Sequence, residues 1–222
     1  YNRGGNGSFG AIKFASLMKN LAPMAEQGFI VVASQYRGFT DTDPKTYGFD
    51  EFGGADVKDV HALINLIKQH PNADADNIFI YGGSRGGMMS YMVARDRQDI
   101  RAIAIHAGNT DLIKGLEWRP EMERVYKARI PNYAVNKQQE LEHRSVLLWP
   151  EQLPKNLPIL LHHGAKDKRV SVKHAERLAD KLTELEHPHK LTVFENEGHI
   201  FRRAKKEAMN AVVEWFRQHT QI

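Results

Sequence analysis

The fold is decided by residues 77–92, NIFIYGGSRGGMMSYM, in which an apolar run passes through a glycine-rich turn into an amphipathic run. Residues 77–81 predict a buried β-strand, and residues 87–95 predict the helix that follows it. Between them, Gly82-Gly83-Ser84-Arg85-Gly86 matches the pattern G-x-S-x-G. In a strand–turn–helix context this pattern predicts a serine on a sharp turn, with its hydroxyl exposed above the strand. Ser84 is therefore the candidate nucleophile.

Short apolar runs and longer amphipathic runs alternate on both sides of this stretch. The predicted strands cover residues 29–33, 77–81, 100–106, 158–163 and 191–194, and the predicted helices cover residues 56–70, 87–95, 172–185 and 204–218. Strand–helix alternation with apolar strands indicates an α/β fold, in which a mostly parallel sheet is covered by helices on both faces. The chain shows no internal repeat or linker, so residues 1–222 are predicted to form one domain.

The composition excludes several function classes. With 41% hydrophobic and 26% charged residues, the 222-residue chain is typical of a globular domain. The net charge of +4 is spread along the chain and is not a nucleic-acid signature. No apolar run approaches the roughly 20 residues that a membrane helix needs. The absence of cysteine removes disulfides and thiol chemistry, but it leaves the compartment and the oligomeric state open.

Two further patterns have a plain structural interpretation. The residues Asp41-Thr42-Asp43 could offer oxygen ligands to a metal ion, but they are expected to form a solvated turn. The basic residues Arg202, Arg203, Lys205 and Lys206 flank a predicted amphipathic helix and are expected to be solvated. We therefore predict neither a metal nor another cofactor.

Residues 111–157 interrupt the alternation, because they are polar and contain no clear strand. We expect a helical insertion. Its aromatic residues could form a local core. Alternatively, the insertion could be a cap whose aromatic residues Trp118, Tyr133 or Trp149 line a substrate pocket, since it leaves the sheet at the strand end that carries Ser84. The two interpretations are compatible.

A serine hydroxyl becomes a good nucleophile only when a positioned base takes its proton. Where a strand–turn–helix serine is used, the chain order is serine, acid, histidine, each at the carboxyl end of a strand. Of the eleven histidines, His199 fits fully, since it follows the last predicted strand and Gly198 allows its loop to turn. The other candidates precede the acid or fall in helices or in the turn before the last strand: His61, His162, His163, His174, His187 and His189.

The acid is expected in the loop after the preceding strand, where Asp167 lies. Glu195 and Glu197 are rivals, but they share the loop of His199, and Asp180 falls in a helix. An oxyanion hole needs two donors. The first is the backbone N–H of Arg85. The second is expected from the glycine-rich residues 3–7, which could otherwise form a flexible terminus.

These motifs together resemble the catalytic domain of the prolyl oligopeptidase family of serine peptidases, which has the α/β-hydrolase fold. The resemblance covers nearly the whole chain and is carried by Arg3-Gly4-Gly5, Tyr36-Arg37-Gly38, residues 53–60, Gly82-Gly83-Ser84-Arg85-Gly86-Gly87, residues 163–170 and Gly198-His199. It implies a triad of Ser84, Asp167 and His199, with Gly5 as the second oxyanion donor. Arg37 and Asp59 match positions that we interpret as structural.

The sequence departs from the family pattern in two places. Family members often carry tyrosine or histidine before the Gly-Gly pair, where this chain has Arg3, so only backbone donation to an oxyanion can be carried over. The 222 residues also do not include the N-terminal β-propeller of many members, which weakens an inference to oligopeptide substrates.

Three functions remain open from the sequence. The first is a serine peptidase that cleaves short peptide or aminoacyl bonds, and the second is a carboxylesterase that acts on small acyl esters with the same triad. The third is an inactive binding domain, against which the intact Ser84, Asp167 and His199 argue.

The start of the chain leads to one more expectation. In the α/β-hydrolase pattern the oxyanion loop follows the third strand, of which only Tyr1 and Asn2 precede Arg3 here. By resemblance this strand lies between residues 29–33 and residues 78–81, in the middle of the sheet. A missing central strand would leave unpaired backbone groups on both sides, so we expect upstream residues that supply it.

Overall fold

The computed structural model describes residues 1–40, 45 and 48–221, and its frame is a parallel β-sheet. Within these residues the sheet consists of β1 (Ile78–Gly83), β2 (Ile100–His106), β3 (Ile159–Gly164) and β4 (His189–Phe194). The strands lie side by side in chain order and all pairs are parallel. Every strand therefore ends at the same edge of the sheet, where the candidate residues lie. The Asp41-Thr42-Asp43 turn lies outside the described residues.

The helices connect and cover these strands. They are α1 (Phe14–Asn20), α2 (Ala22–Ala25), α3 (Asp56–Ile67), α4 (Arg85–Arg95), α5 (Leu112–Trp118), α6 (Met122–Arg129), α7 (Tyr133–His143), α8 (Lys173–Glu184) and α9 (Lys205–Gln218). Short 3₁₀ turns cover Val146–Leu148 and Pro150–Gln152. Within residues 1–40, 45 and 48–221, no helix is long and apolar enough to span a bilayer.

The sheet is buried on both faces because successive side chains of a strand point to opposite sides. In β2, Ile103 and Ile105 join a large apolar cluster with α3, α4 and α8. Ala102 and Ala104 face the other way and join a second cluster, to which α9 contributes Val212 and Phe216. This two-sided burial is what the apolar strands predict, and the parallel sheet covered by helices on both faces is confirmed.

One predicted strand is absent from the described structure. Residues 29–33 have no strand assignment, although the carbonyl oxygen of Val32 accepts a 2.6 Å hydrogen bond from the amino group of Tyr1. On the other side, the backbone N–H of Asn2 donates to the carbonyl oxygen of Tyr81 at 2.8 Å. Tyr1 and Asn2 thus lie between residues 29–33 and β1, as expected. Two residues are too few to form a ladder, so residues 29–33 are not assigned as a strand.

Residues 111–157 form the expected helical insertion, made of α5, α6, α7 and the two 3₁₀ turns. Apolar side chains from each part of it join the larger core cluster, including Leu112, Ile130, Leu141 and Val146. The insertion is therefore anchored as a continuation of the main core.

Candidate active site

Ser84 lies on a sharp turn between β1 and α4. Its φ of 55° and ψ of −123° are uncommon for a residue with a side chain, and such strain is typical of a nucleophile elbow. The backbone N–H of Ser84 donates to the carbonyl oxygen of His106 at 2.8 Å, which ties the turn to β2. Gly86 is required here, because a Cβ at this position would lie 1.9 Å from the carbonyl oxygen of Asn2. The sequence pattern thus has a direct steric origin.

The loops after β3 and β4 bring Asp167 and His199 into contact. The Nδ1 atom of His199 lies 2.8 Å from Oδ2 of Asp167. The other carboxylate oxygen, Oδ1, accepts hydrogen bonds from the backbone N–H groups of Arg169 at 2.8 Å and Val170 at 3.0 Å. The buried Nε2 of His163 lies 3.3 Å from Oδ2. Asp167 therefore joins the two loops through its hydrogen bonds.

The hydrogen bonds at Asp167 determine its charge. Burial alone would raise the pKa of this carboxyl, but hydrogen bonds from His163 and His199 outweigh burial and hold the pKa of Asp167 well below its usual range. A permanently ionised Asp167 accepts the proton on Nδ1 of His199. The Nε2 atom of His199 is then the unprotonated one, as a general base requires.

A third histidine, His106 at the end of β2, holds the loop of His199. Its Nε2 atom lies 3.0 Å from the carbonyl oxygen of His199, and since a carbonyl only accepts, Nε2 of His106 carries the proton. Burial, reinforced by the nearby His199 and His163, lowers the pKa of His106 to about 4. His106 is thus a neutral donor at neutral pH. Sequence reasoning missed this residue, since 93 positions separate it from His199.

Ser84, Asp167 and His199 line one cleft of about 1430 Å³. In the described structure no direct hydrogen bond joins Oγ of Ser84 to His199, and such bonds are often long in enzymes without substrate. The helical insertion also lines the cleft, with the apolar and aromatic side chains of Trp118, Met122, Val125 and Tyr126 and with Asp111, Gly115 and Arg119. The insertion therefore serves both as core and as pocket wall.

The expectation for the other two aromatic residues is wrong. Tyr133 and Trp149 are buried in the core and are not among the residues that line this cleft. The hydroxyl of Tyr133 donates to Glu123 at 2.8 Å, and the indole N–H of Trp149 donates to the carbonyl oxygen of Glu142 at 3.1 Å. The pocket residues missed from the sequence had a signal. Met122, Val125 and Tyr126 are spaced i, i+3, i+4 on α6, which defines a single apolar stripe.

The candidate oxyanion donors lie on both sides of Ser84. Arg85 is the first residue of α4, so its backbone N–H has no acceptor within the helix. Gly4 and Gly5 line the cleft, and a Cβ on Gly4 would lie 3.1 Å from Cβ of Ser84. Gly5 has a φ of 77°, and a Cβ there would lie 2.0 Å from the carbonyl oxygen of Phe9. Residues 3–10, here called the glycine loop, thus form a tight turn against the serine.

A buried charge network supports the glycine loop from beneath. The guanidinium of Arg85 pairs with Asp50 at 2.7 and 2.8 Å and also with Asp56, and all three side chains are buried. Arg85 also donates to the carbonyl oxygen of Gly5 at 2.9 Å, and Asp50 accepts from the backbone N–H of Gly7 at 2.6 Å. Burial would raise the pKa of Asp50, but Arg85 outweighs it and the net pKa is lowered. This network was not predicted.

Arg3, which replaces the tyrosine or histidine of the family pattern, is directed away from an oxyanion role. Its buried guanidinium donates to the carbonyl oxygens of Gln35, Gly4, Gly7 and Phe9, at distances from 2.6 to 3.2 Å. It holds the glycine loop from within. Arg37 and Asp59 form an ion pair at 2.6 Å outside the cleft, in line with a structural role.

Comparisons with known proteins agree with this architecture. The model of the prolyl oligopeptidase family matches residues 15–222. Peptidase YtmA of Bacillus subtilis is 30% identical over 220 residues, which are 98% of this chain and 81% of that protein. The human acylamino-acid-releasing enzyme is 27% identical over 227 residues, which cover 89% of this chain but only 28% of the enzyme.

Solved structures give the same result. A puromycin-hydrolyzing peptidase of Mycobacterium tuberculosis matches with a TM-score of 0.69 and 26% identity, over 76% of this chain and 26% of that one. The chain thus spans most of YtmA but between a quarter and a third of the larger relatives. The match to the family model, over residues 15–222, includes the loops that carry Ser84, Asp167 and His199. This chain belongs to the prolyl oligopeptidase family of serine peptidases.

Proposed function

We propose that this protein cleaves short peptide or aminoacyl bonds through an acyl-enzyme at Ser84. His199 is the general base, Asp167 orients it, and the backbone N–H groups of Arg85 and Gly5 form the oxyanion hole. The observation that carries the proposal is the convergence of a strained, cleft-facing Ser84 with the 2.8 Å pair of His199 and Asp167.

In the first step Nε2 of His199 takes the hydroxyl proton as Oγ of Ser84 attacks the scissile carbonyl carbon. The carbonyl π electrons move to oxygen, and the resulting oxyanion is stabilised by the donors around Ser84 and by the positive end of α4. Collapse breaks the C–N bond, and the imidazolium of His199 gives its proton to the leaving amine. Water then repeats the sequence, releasing the acid and restoring Ser84.

The lining of the cleft supports acyl groups with an apolar side chain. Trp118, Met122, Val125 and Tyr126 offer an apolar wall beside the nucleophile. One relative is named an acylamino-acid-releasing enzyme and another a puromycin-hydrolyzing peptidase, and these names support substrates with an aminoacyl bond.

The test is a panel of aminoacyl-anilides and p-nitrophenyl esters, assayed with the wild-type chain and with Ser84→Ala. We expect turnover of anilides with apolar acyl residues, and its loss in Ser84→Ala. Turnover confined to the esters would replace the peptidase assignment with a carboxylesterase. Hydrolysis that survives in Ser84→Ala would overturn both.

A further inference from the structure

The cleft is strongly cationic on the side of His199. A second cleft of about 440 Å³ adjoins the first, and His199, Ile200, Arg169 and Arg202 line both of them. Lys166 and Arg203 also line the second cleft. His199 therefore lies at the junction of two clefts, with four cationic side chains around it.

The carboxylates in these clefts do not neutralise this charge. Glu197 is the carboxylate of the second cleft, and its oxygens accept three backbone N–H bonds of 2.7 to 2.8 Å, from Arg202, Arg203 and Ala204. Asp167, in the first cleft, is saturated by histidines and backbone groups. Asp111, also in the first cleft, pairs with Arg177 at 2.9 Å and accepts from the backbone N–H of Lys114. Among the described residues, no carboxylate forms an ion pair with the guanidinium of Arg169 or Arg202.

The backbone of Arg169 and of Arg202 is nevertheless fixed in position relative to the triad. The backbone N–H of Arg169 donates to Asp167 at 2.8 Å, and that of Arg202 donates to Glu197 at 2.8 Å. Lys166 bridges the two loops through a 2.8 Å hydrogen bond to Asn196. The arginines therefore start from ordered turns, while their side chains extend into solvent at the cleft.

The position beside His199 identifies the part of the substrate that meets them. His199 gives its proton to the leaving amine, so groups that flank its imidazole face the leaving-group side of the scissile bond. We propose that Arg169 and Arg202 form a subsite for a carboxylate on the leaving group, so that the enzyme prefers short peptides cut next to a free C-terminus. Arginine suits this role, because its planar fork binds a carboxylate through two parallel hydrogen bonds.

This inference rests on the proposed function, and its test separates the two. The substrates are N-acetyl dipeptides. Their first residue, on the acyl side of the scissile bond, is each of the twenty amino acids in turn, and their second residue is leucine. Each dipeptide is made with a free C-terminal carboxylate and as the C-terminal amide. Released leucine or leucine amide is quantified by mass spectrometry. We expect kcat/KM for the acids to exceed that for the matched amides by about tenfold at low salt, and the ratio to shrink as salt screens the charges.

Variants assign the preference to the arginines. Arg169→Gln and Arg202→Gln should each lower the acid-to-amide ratio about threefold to tenfold, and Arg202→Glu should invert it. Lys206→Gln removes an exposed cation that lines neither cleft, and it should leave the ratio unchanged. The ratio of kcat/KM for acid and amide is measured because damage to the triad lowers hydrolysis of both substrates equally and leaves the ratio unchanged.

Two results would count against different claims. Equal hydrolysis of acids and amides by the wild-type chain, or a ratio that survives in Arg169→Gln and Arg202→Gln, would overturn the subsite and leave the peptidase assignment intact. Hydrolysis of neither series would overturn the proposed function itself.

Discussion

At the scale of the residue, Asp167 joins the loop after β3 to the loop that carries His199. It binds Nδ1 of His199 and accepts backbone hydrogen bonds within its own loop. Asp167→Asn keeps the shape but removes the charge that selects the tautomer of His199. We expect kcat to fall by roughly 10⁴ in Asp167→Asn and in His199→Ala, because triad members act as a unit.

The double variant is the control for this claim. It should be little worse than either single variant when kcat is measured on the best anilide. Losses that multiply in the double variant would show that the two residues act independently, contrary to the 2.8 Å contact.

His106 gives a second prediction at this scale. His106→Phe keeps the ring packing against Phe201 but removes the donor to the carbonyl oxygen of His199. We expect about a tenfold loss in kcat with little change in KM, since the base is less well placed in the transition state. His106→Gln, which retains a donor, should recover part of the loss. Equal rates for wild type and His106→Phe would assign His106 to packing alone.

The sequence was sufficient to choose the three triad candidates, but it did not reveal the residues that hold them in position. Ser84, Asp167 and His199 were chosen by chain order and strand ends, which the parallel sheet brings to one edge. His106 shares that edge, yet its role depends on a contact with a backbone atom of another loop. Tyr133 was misplaced because the sequence alone does not tell which face of an insertion helix turns to the cleft.

At the scale of the element, the glycine loop depends on Arg85. Removing this guanidinium in Arg85→Met leaves Asp50 and Asp56 buried and unpaired, and losses of about 3–5 kcal/mol are typical of broken buried ion pairs. We expect a clearly lowered melting temperature, and a lower kcat at temperatures where the variant is folded. Gly5 loses the donor to its carbonyl oxygen, and Asp50, which accepts from Gly7, loses its partner.

Arg37→Met is the matched control. Its ion pair with Asp59 is 35% and 22% exposed, so its loss should cost about 1 kcal/mol or less. Equal melting temperatures for Arg85→Met and Arg37→Met would contradict the network as the support of the glycine loop.

Most elements were predicted within a few residues, and the failures have physical causes. Strand β2 was predicted with its observed bounds because Ile100–His106 is rich in isoleucine and alanine, with Arg101 as its one charged residue. Residues 29–33 are also apolar, but a strand is assigned only where a neighbour forms a ladder with it. The Arg85 network was invisible because a G-x-S-x-G motif specifies the backbone around its fourth residue and says nothing of that side chain.

At the scale of the whole molecule, buried histidines determine the response to acid. Burial lowers the pKa values of His162 and His174 to about 4. The Nδ1 atom of His174 accepts from the backbone N–H of Thr110 at 3.2 Å, which a protonated ring could not do. Between about pH 6.5 and pH 4 these histidines are therefore protonated in the unfolded chain and neutral in the folded chain. The free energy of unfolding thus decreases as the pH is lowered.

Urea unfolding at a series of pH values measures this slope, which is at most about 1.4 kcal/mol per pH unit for each buried histidine. Carboxylates such as Asp167, whose pKa is lowered, lose their contribution below about pH 5, so the histidines alone set the slope between about pH 6.5 and pH 5. His174→Gln should flatten the curve between pH 6.5 and pH 4. A stability that is constant over that range in the wild-type chain would contradict neutral burial.

If Ser84 is an activated nucleophile, it reacts covalently with a fluorophosphonate. The intact mass of the chain is measured after incubation with a fluorophosphonate, and the modified residue is located by peptide mapping. We expect one phosphonyl adduct on Ser84, formed at a rate that falls strongly in His199→Ala, and no adduct in Ser84→Ala. An unmodified wild-type chain, or an adduct that persists in Ser84→Ala, would contradict it.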